Sequence, residues 1–251
     1  MENITSTSNA IVKNAASLSQ KKFREETHLF LAEGEKAISG LYNSGFNIEK
    51  LFVKSDKISE YGYIDNNKIC VVNEAVISKI STTKTACEAV AVFEQKKYEL
   101  KTFYNKKRIL LLENIKDAGN LGTIMRACKA FNTEGILLLG DTIDFYNPKV
   151  VRASVGCFDI PVLNINYEDL SNFKNHTIYS TALYENSTPL KQIKFKEPFI
   201  IAFGSEADGL SEKFLENKTV NINIETSTCV ESLNLASAVS VCLYKIFTDI
   251  I

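Results

Sequence analysis

Ile109-Leu110-Leu111-Leu112-Glu113-Asn114-Ile115-Lys116-Asp117-Ala118-Gly119-Asn120-Leu121-Gly122-Thr123-Ile124-Met125-Arg126 reads as a strand, a polar turn and the start of a helix. Four apolar residues in succession suit a strand covered on both faces. Beyond the turn, Leu121, Ile124, Met125 and Cys128 recur at helical spacing. The pattern repeats downstream. Ile136-Leu137-Leu138-Leu139 is a second apolar run, and Asn147 to Ser154 suits a helix with Pro148 in its first turn. Further strands are predicted at Thr177–Ser180, Phe199–Phe203 and Val220–Ile224. A last helix is expected from about Ser232 to Phe247, with Leu235, Ala238, Val239, Cys242 and Ile246 on one side. Strands alternating with helices predict an α/β fold, a mostly parallel sheet with helices on both faces. Ligands in such sheets sit beyond the carboxyl ends of the strands.

Upstream the pattern is that of a smaller α/β unit. Ala37, Ile38, Leu41 and Tyr42 mark a helix within residues 34 to 43. Strands are predicted at Ile48–Val53, Ile69–Val72 and Ala89–Phe93, with Asn73 capping a short helix that carries Val76, Ile77 and Ile80. A lysine-rich connection follows. The expected organisation is a domain over residues 1–95, a connector over 96–107 and a second domain over 108–251.

Bulk composition narrows the class of protein. The chain has 251 residues, 45% hydrophobic and 24% charged, with a formal net charge of −1. That is an ordinary globular composition. No apolar run approaches the roughly 18–20 residues that span a bilayer. Met1-Glu2-Asn3-Ile4-Thr5-Ser6 lacks the layout of a secretory signal, so a cytoplasmic location is expected. Cys70, Cys87, Cys128, Cys157, Cys229 and Cys242 are scattered without a C-x-x-C pair, and the histidines are His28 and His176. No metal site is expected, and the cysteines read as reduced, small apolar residues. The net charge does not advertise a nucleic-acid binder, but its distribution does. Lys13, Lys21, Lys22 and Arg24 follow one another with no acid between, and a second basic run extends from Lys96 to Arg108. Lys13, Lys22 and Arg24 are candidate phosphate contacts.

The loops after the apolar strands carry the chemistry-bearing residues. In the first, Asn120 stands near a helix start and Arg126 lies about 240° further around the helix. The two converge only if Asn120 lies outside the helix proper or if they come from different subunits. The second is Asp144-Phe145-Tyr146-Asn147-Pro148-Lys149-Val150-Val151-Arg152-Ala153-Ser154-Val155-Gly156. Lys149 and Arg152 are one turn apart, so two cations share a face suited to phosphate. The third, Phe203-Gly204-Ser205-Glu206-Ala207-Asp208-Gly209-Leu210-Ser211, couples a glycine to an exposed acid after a strand. The fourth runs from Ile224 to Val230-Glu231-Ser232-Leu233-Asn234-Leu235 and places compact donors and acceptors at a helix start. There is no G-x-G-x-x-G or G-K-[ST] fingerprint, which disfavours a nucleotide-dependent oxidoreductase.

Taken together, these segments resemble the SpoU (TrmH-type) family of RNA ribose 2′-O-methyltransferases, within the SPOUT class. Asn120, Gly122 and Arg126 match its N-x-G-x-x-x-R motif. Lys149 to Gly156, running on to Ile160-Pro161-Val162, resembles the second motif. Gly204, Glu206 and Gly209, then Ser232, Leu233 and Asn234, match the third. The order and spacing agree over about residues 108 to 248. Phe30-Leu31-Ala32-Glu33-Gly34-Glu35-Lys36-Ala37-Ile38 resembles the opening of the family's N-terminal substrate-binding domain, which is similar to the ribosomal L30e fold. This chain departs from the family at Glu225 and Thr226, where Pro and Met are common, and at Thr228, Ala118 and Asn132.

The resemblance implies a trefoil knot in the C-terminal sheet, a homodimer, and S-adenosylmethionine as cofactor. Carried over residue by residue, it places Gly204, Ile224, Leu233, Thr181 and Leu183 around the cofactor. It gives Arg126, Asn120, Glu206, Ser232 and Asn234 to the catalytic centre; the RNA contacts expected from charge placement are Lys149 and Arg152, with Lys13, Lys22 and Arg24. The implied reaction moves a methyl group to a ribose 2′-hydroxyl, with ribosomal RNA first and transfer RNA second. Arg126 is either the base, a demanding role because arginine strongly resists deprotonation, or a stabiliser of the developing alkoxide or adjacent phosphate. A non-catalytic RNA-binding module on the same fold is the rival reading. The segments around residues 120, 152, 206 and 233 are expected to form one pocket.

Overall fold

The computed structural model describes residues 1–83, 87–181, 187–217, 219–227 and 232–250. In chain order the elements are β1 (Glu2–Ile4), α1 (Ala10–Ser17), α2 (Lys21–Thr27), β2 (Leu29–Glu33), α3 (Glu35–Asn43), β3 (Ile48–Val53), β4 (Ile69–Val72), α4 (Glu74–Ile80) and β5 (Ala89–Glu94). They continue with β6 (Arg108–Glu113), α5 (Ala118–Ala130), β7 (Gly135–Leu139), α6 (Pro148–Ser154), β8 (Val162–Ile165), β9 (Thr177–Thr181), β10 (Thr188–Pro189), β11 (Phe199–Phe203), α7 (Glu212–Leu215), β12 (Thr219–Asn223) and α8 (Leu235–Ile250). The chain divides into two compact units, Met1–Lys96 with Asp144–Asp159, and Lys97–Ile143 with Ile160–Ile251.

The first unit is built on a mixed sheet of order β1-β4-β3-β5-β2, in which β2 and β3 run antiparallel to β5 and β4 runs parallel to β3 and β1. Strand alternation divides its side chains between two faces. Leu31, Phe52, Cys70 and Val92 meet Val12 and Ala15 of α1 and Val76, Ile77 and Ile80 of α4. Phe30 and Phe93, directly paired across β2 and β5, turn the other way. On that side Phe30 stacks with Phe158 and packs at a tilt against Tyr146, and Phe46 meets Phe158 edge-on. The segment 144–159, which the chain reaches only after β7, therefore supplies part of this unit's aromatic core. Gly40 and Gly156 allow the approach, since a Cβ on Gly40 would lie 2.9 Å from the Gly156 Cα.

One expectation is corrected here. Arg24, placed among the RNA contacts because it ends a basic run, is 2% exposed. Its Nη2 lies 2.6 Å from Asp144 Oδ2, its Nε donates to the same oxygen at 2.7 Å, and its Nη1 donates to the carbonyls of Leu18 and Ser19 at 2.8 and 2.9 Å. The helical repeat of α2 turns this one cation inward, while Lys21 and Lys22 stay exposed beside Glu25 and Glu26. Breaking a buried pair from one side leaves an uncompensated charge. Arg24→Ala is expected to lower the unfolding free energy by about 3–5 kcal/mol, measured by denaturant titration. A loss under about 1 kcal/mol would show that the pair is hydrated and weak.

The second unit carries a sheet of order β10-β12-β9-β11-β6-β7-β8, and every neighbouring pair in it is parallel. Ile109, Leu111, Leu137, Leu139, Ile200 and Ala202 share one buried cluster with Phe103, Leu170, Phe173 and Phe214. Leu110, Leu112, Ile136 and Leu138 alternate to the opposite face and are also buried. Helix α5 begins at Ala118 because Asp117 caps it, its side chain accepting from the Asn120 amide at 2.7 Å. Helix α8 begins at Leu235, three residues later than the spacing suggested. Asn234 Oδ1 takes the amides of Ala236 and Ser237 at 3.0 and 3.3 Å and so marks the boundary. Asn132, standing where the family often has Gly, has φ +55°, a conformation asparagine tolerates better than most residues. Burial pushes the Cys128 and Cys242 thiols up to about 12, which keeps both neutral; Cys229 lies outside the described residues. Among the described residues no helix is long and apolar enough to cross a membrane, and none form a metal-binding cluster of histidine, cysteine and carboxylate side chains.

Candidate active site

Strands β12, β9 and β11 lie side by side and run the same way, so the loops that follow them leave one end of the sheet together. A cavity of about 580 Å³ opens there. Its walls come from Thr181 after β9, the stretch from Phe203 to Leu210 after β11, Ile222, Asn223, Ile224 and Thr226 around the end of β12, and Ser232, Leu233, Leu235 and Ala238 at the start of α8. Thr181, Gly204, Glu206, Ile224, Ser232 and Leu233 are thus brought together from distant parts of the chain. Leu183 and Thr228 lie outside the described residues.

The loop after β11 is closed on itself. The Ser205 amide donates to the Gly209 carbonyl at 3.1 Å and the Gly209 amide to the Ser205 carbonyl at 3.0 Å. Gly209 has φ +67°, and Gly204 sits against the returning strand of the loop, where there is no room for a side chain. The far end is held by a residue the sequence reading did not single out. Glu113, fully buried at the end of β6, accepts from the Ser211 amide at 2.8 Å, the Ser211 hydroxyl at 2.5 Å and the Tyr167 hydroxyl at 2.5 Å. Burial and the adjacent carboxylate raise the pKa of the Tyr167 hydroxyl, which keeps it a donor. The signal for Glu113 was available: an acid ends an otherwise apolar strand.

Beside the cavity a chain of side chains has its direction set at one end. Asn234 spends its carbonyl oxygen on the α8 amides, so its Nδ2 is left to donate, at 3.1 Å, to Asn120 Oδ1. Asn120 Nδ2 in turn donates to Glu206 Oε1. An amide with its oxygen engaged can offer only N–H groups onward, so the order Asn234, Asn120, Glu206 follows from the helix cap. The second carboxylate oxygen of Glu206 has no partner among the described residues.

Arg126 is placed otherwise. Asn120 is the third residue of α5, inside the helix, which leaves Arg126 on another side. Arg126 is exposed, does not line the cavity, and makes no ion pair or hydrogen bond among the described residues. Lys149 and Arg152 belong to the first unit, while the segments around 120, 206 and 233 meet at or beside this cavity.

A buried polar atom tests what the cavity accepts. Asn223 Oδ1, at the end of β12, is buried without a hydrogen-bond partner among the described residues, and Asn223 lines the cavity. An orphaned acceptor of this kind costs about 1–3 kcal/mol unless a ligand satisfies it. The rest of the lining mixes apolar side chains such as Phe203, Ile222, Ile224 and Leu235 with hydroxyls and the carboxylates Glu206 and Asp208, a combination of shape and directed polar groups that small-molecule sites use. Neither composition nor periodicity marks Asn223, since a strand-end asparagine is unremarkable until its neighbours are known.

Residues 107–244 match the SpoU rRNA Methylase family, and residues 9–91 match an MRM3-like substrate binding domain. The chain belongs to the SpoU rRNA methylase family. Among its relatives is the 23S rRNA (guanosine(2553)-2′-O)-methyltransferase RlmP of Bacillus subtilis, 29% identical over 98% of this chain and 99% of that protein. An uncharacterised tRNA/rRNA methyltransferase of Synechocystis is 33% identical over 96% of this chain and 92% of its own length. The crystal structure of an AdoMet-bound rRNA methyltransferase from Sinorhizobium meliloti superimposes with a TM-score of 0.89 at 29% identity, covering 100% of this chain and 98% of that one. In this SpoU methylase Glu225 forms an exposed ion pair with Lys191 at 2.7 Å.

Proposed function

We propose that this SpoU methylase transfers the methyl group of S-adenosylmethionine to a ribose 2′-hydroxyl of ribosomal RNA. The observation that carries the reading is the cavity where β9, β11 and β12 end, with an unpaired acceptor, Asn223, in its wall and the Asn234–Asn120–Glu206 chain beside it. Gly204, Ile224, Leu233 and Thr181 hold the cofactor, with Leu183 assigned by resemblance. Asn223 accepts a hydrogen bond from one of its N–H or O–H groups. The cofactor supplies an electrophilic sulfonium methyl, and the protein supplies alignment and charge. Glu206, oriented by Asn120, accepts from the ribose 2′-hydroxyl with its free oxygen and passes that proton to solvent as the methyl moves from sulfur to oxygen, and Ser232 and Asn234 fix the approach. Arg126 neutralises the oxyanion that develops at the 2′-oxygen.

Because Arg126 lies off its own cavity, it serves the cavity of a second subunit in a homodimer. Tyr244 and Val241 of α8 are 58% and 42% exposed, and large apolar side chains left in water on a helix packed beside α5 support such an interface. Residues 1–95, joined by the segment 144–159 that packs into the same unit, act as the RNA-binding domain, 96–107 as the connector and the rest of 108–251 as the knotted catalytic domain, in a cytoplasmic enzyme. Lys13 and Lys22, with Lys149 and Arg152, contact RNA phosphates.

The decisive experiment incubates the purified protein with methyl-labelled cofactor and ribosomal or transfer RNA. Label in 2′-O-methylnucleosides of ribosomal RNA is the expected result, and label only in transfer RNA would reassign the substrate. Calorimetry showing no cofactor binding would leave a non-catalytic RNA-binding module. A narrower prediction concerns the orphan acceptor. Asn223→Leu is expected to weaken cofactor binding about five- to thirtyfold, the equivalent of one hydrogen bond of about 1–2 kcal/mol. Unchanged affinity would remove Asn223 from the site.

A further inference from the structure

In the first unit a second arrangement has chemistry of its own. Glu33 ends β2 with its side chain only 3% exposed. Its carboxylate accepts from the Ser81 hydroxyl at 2.7 Å, the Thr82 amide at 3.1 Å and the Thr82 hydroxyl. Arg152 of α6 brings one nitrogen to this group: its Nη1 lies 3.1 Å from Thr82 Oγ1 and 3.5 Å from Glu33 Oε1. The other guanidinium nitrogens, Nε and Nη2, have no partner among the described residues, yet neither is buried, and the side chain is 38% exposed. They form the side edge of a planar fork whose spacing matches two oxygens of a phosphate. One edge of the guanidinium is therefore held and the opposite edge faces solvent.

We propose that Arg152 is a pre-oriented fork for a backbone phosphate of the substrate RNA, with Glu33 and Thr82 as its positioning residues. The proposal rests on the RNA-methyltransferase reading above and adds residues to it. A free arginine side chain gives up rotamer freedom when it binds, and a guanidinium already held on one edge gives up less. Lys149, exposed one turn earlier on α6, adds a second cation to the same face. The face is open rather than enclosed. It suits a phosphodiester delivered by a long polyanion bound at several points, more than a small ion that must be extracted from water.

The test uses the full-length enzyme and compares RNA KM, kcat and cofactor affinity. Arg152→Ala is expected to raise the RNA KM about tenfold, leaving kcat at saturating RNA and cofactor affinity intact. The salt dependence of RNA binding should flatten by about one phosphate contact. Arg152→Lys keeps the charge but loses the fork, and should recover less than half of the loss. Glu33→Gln separates orientation from charge. Removing a negative charge near RNA would tighten binding by simple electrostatics, whereas loss of a positioning group raises KM. A severalfold higher KM is expected, and Thr82→Val, which deletes only the hydroxyl, should move KM the same way if Glu33→Gln unfolds the loop. The proposal is overturned if Arg152→Ala leaves KM and the salt slope unchanged, or if Glu33→Gln and Thr82→Val tighten RNA binding. It is also overturned if micromolar inorganic phosphate competes at this site, which would mark a small-anion pocket. Failure of the parent reading looks different: wild-type protein would then methylate no RNA at all.

Discussion

Gly204→Ala is expected to abolish cofactor binding, with affinity falling on the order of a hundredfold or more, about 2.7 kcal/mol. The cause is steric. A Cβ on Gly204 would stand 1.9 Å from the Gly209 carbonyl carbon, 2.0 Å from its oxygen and 2.2 Å from the Leu210 amide nitrogen. All are backbone atoms, so no side chain can swing away to make room. The loop cannot open cheaply either, because Ser205 and Gly209 are joined by paired backbone hydrogen bonds and Ser211 is tied to buried Glu113. Something must shift, and what shifts is the wall of the cavity. Gly209→Ala is the control. Its φ of +67° strains any side chain, but nothing lies within 4 Å of the added carbon, so the cost is about 1 kcal/mol and binding is mostly kept. Calorimetry with S-adenosylmethionine, alongside circular dichroism to show the fold intact, separates the two. Wild-type affinity in Gly204→Ala would mean that the cofactor binds elsewhere.

For Arg126→Ala the expected result is the reverse: unchanged cofactor affinity and a loss of methylation of about 10²–10³-fold, the size seen when one preorganised charge-stabilising donor is removed. The side chain is exposed and absent from the cavity of its own chain. Its deletion therefore removes nothing from the cofactor contacts and creates no void. The same geometry gives a sharper test. If Arg126 acts in its partner's cavity, a mixed dimer of Arg126→Ala and Gly204→Ala subunits retains one complete site, built from the intact cavity of one subunit and the intact arginine of the other. Mixing two inactive variants should restore activity to roughly a quarter of wild type after random subunit exchange, since half of the dimers then hold one working site of two. No recovery in dimers shown to have exchanged would place Arg126 in its own subunit's chemistry. Full activity in Arg126→Ala alone would remove it from the mechanism.

Some of this was open to a reader of the linear chain. Runs such as Ile109–Leu112 and Ile136–Leu139 are apolar at every position because both faces of their strands are covered, and that excess of hydrophobicity is a local property. A helix start was legible for the same reason where Asn73 caps an amide only three residues away. So were the candidate positions at the cavity, because the motifs that carry Asn120, Gly204, Glu206 and Ser232 are compact.

What escaped depends on partners far along the chain. Arg24 and Lys22 are alike in composition and context, and only the rotation of α2 and the arrival of Asp144, 120 positions away, make one a buried anchor and the other a surface charge. Segment 144–159 carries a motif of the methylase family, yet its aromatic rings pack with Phe30 and Phe46, since a ring is buried wherever a complementary face exists, whatever its place in the sequence. Glu113 and Asn223 gained their meaning from burial, which turns an ordinary carboxylate into a loop anchor and an ordinary amide into an unsatisfied acceptor. Hydrophobic periodicity and capping act over a few residues, so the sequence alone determined the α/β class, the order of the strongly apolar strands and the motif positions. Desolvation and long-range pairing act through space, so only the tertiary structure decided which polar groups anchor, which are left free and which face the cavity.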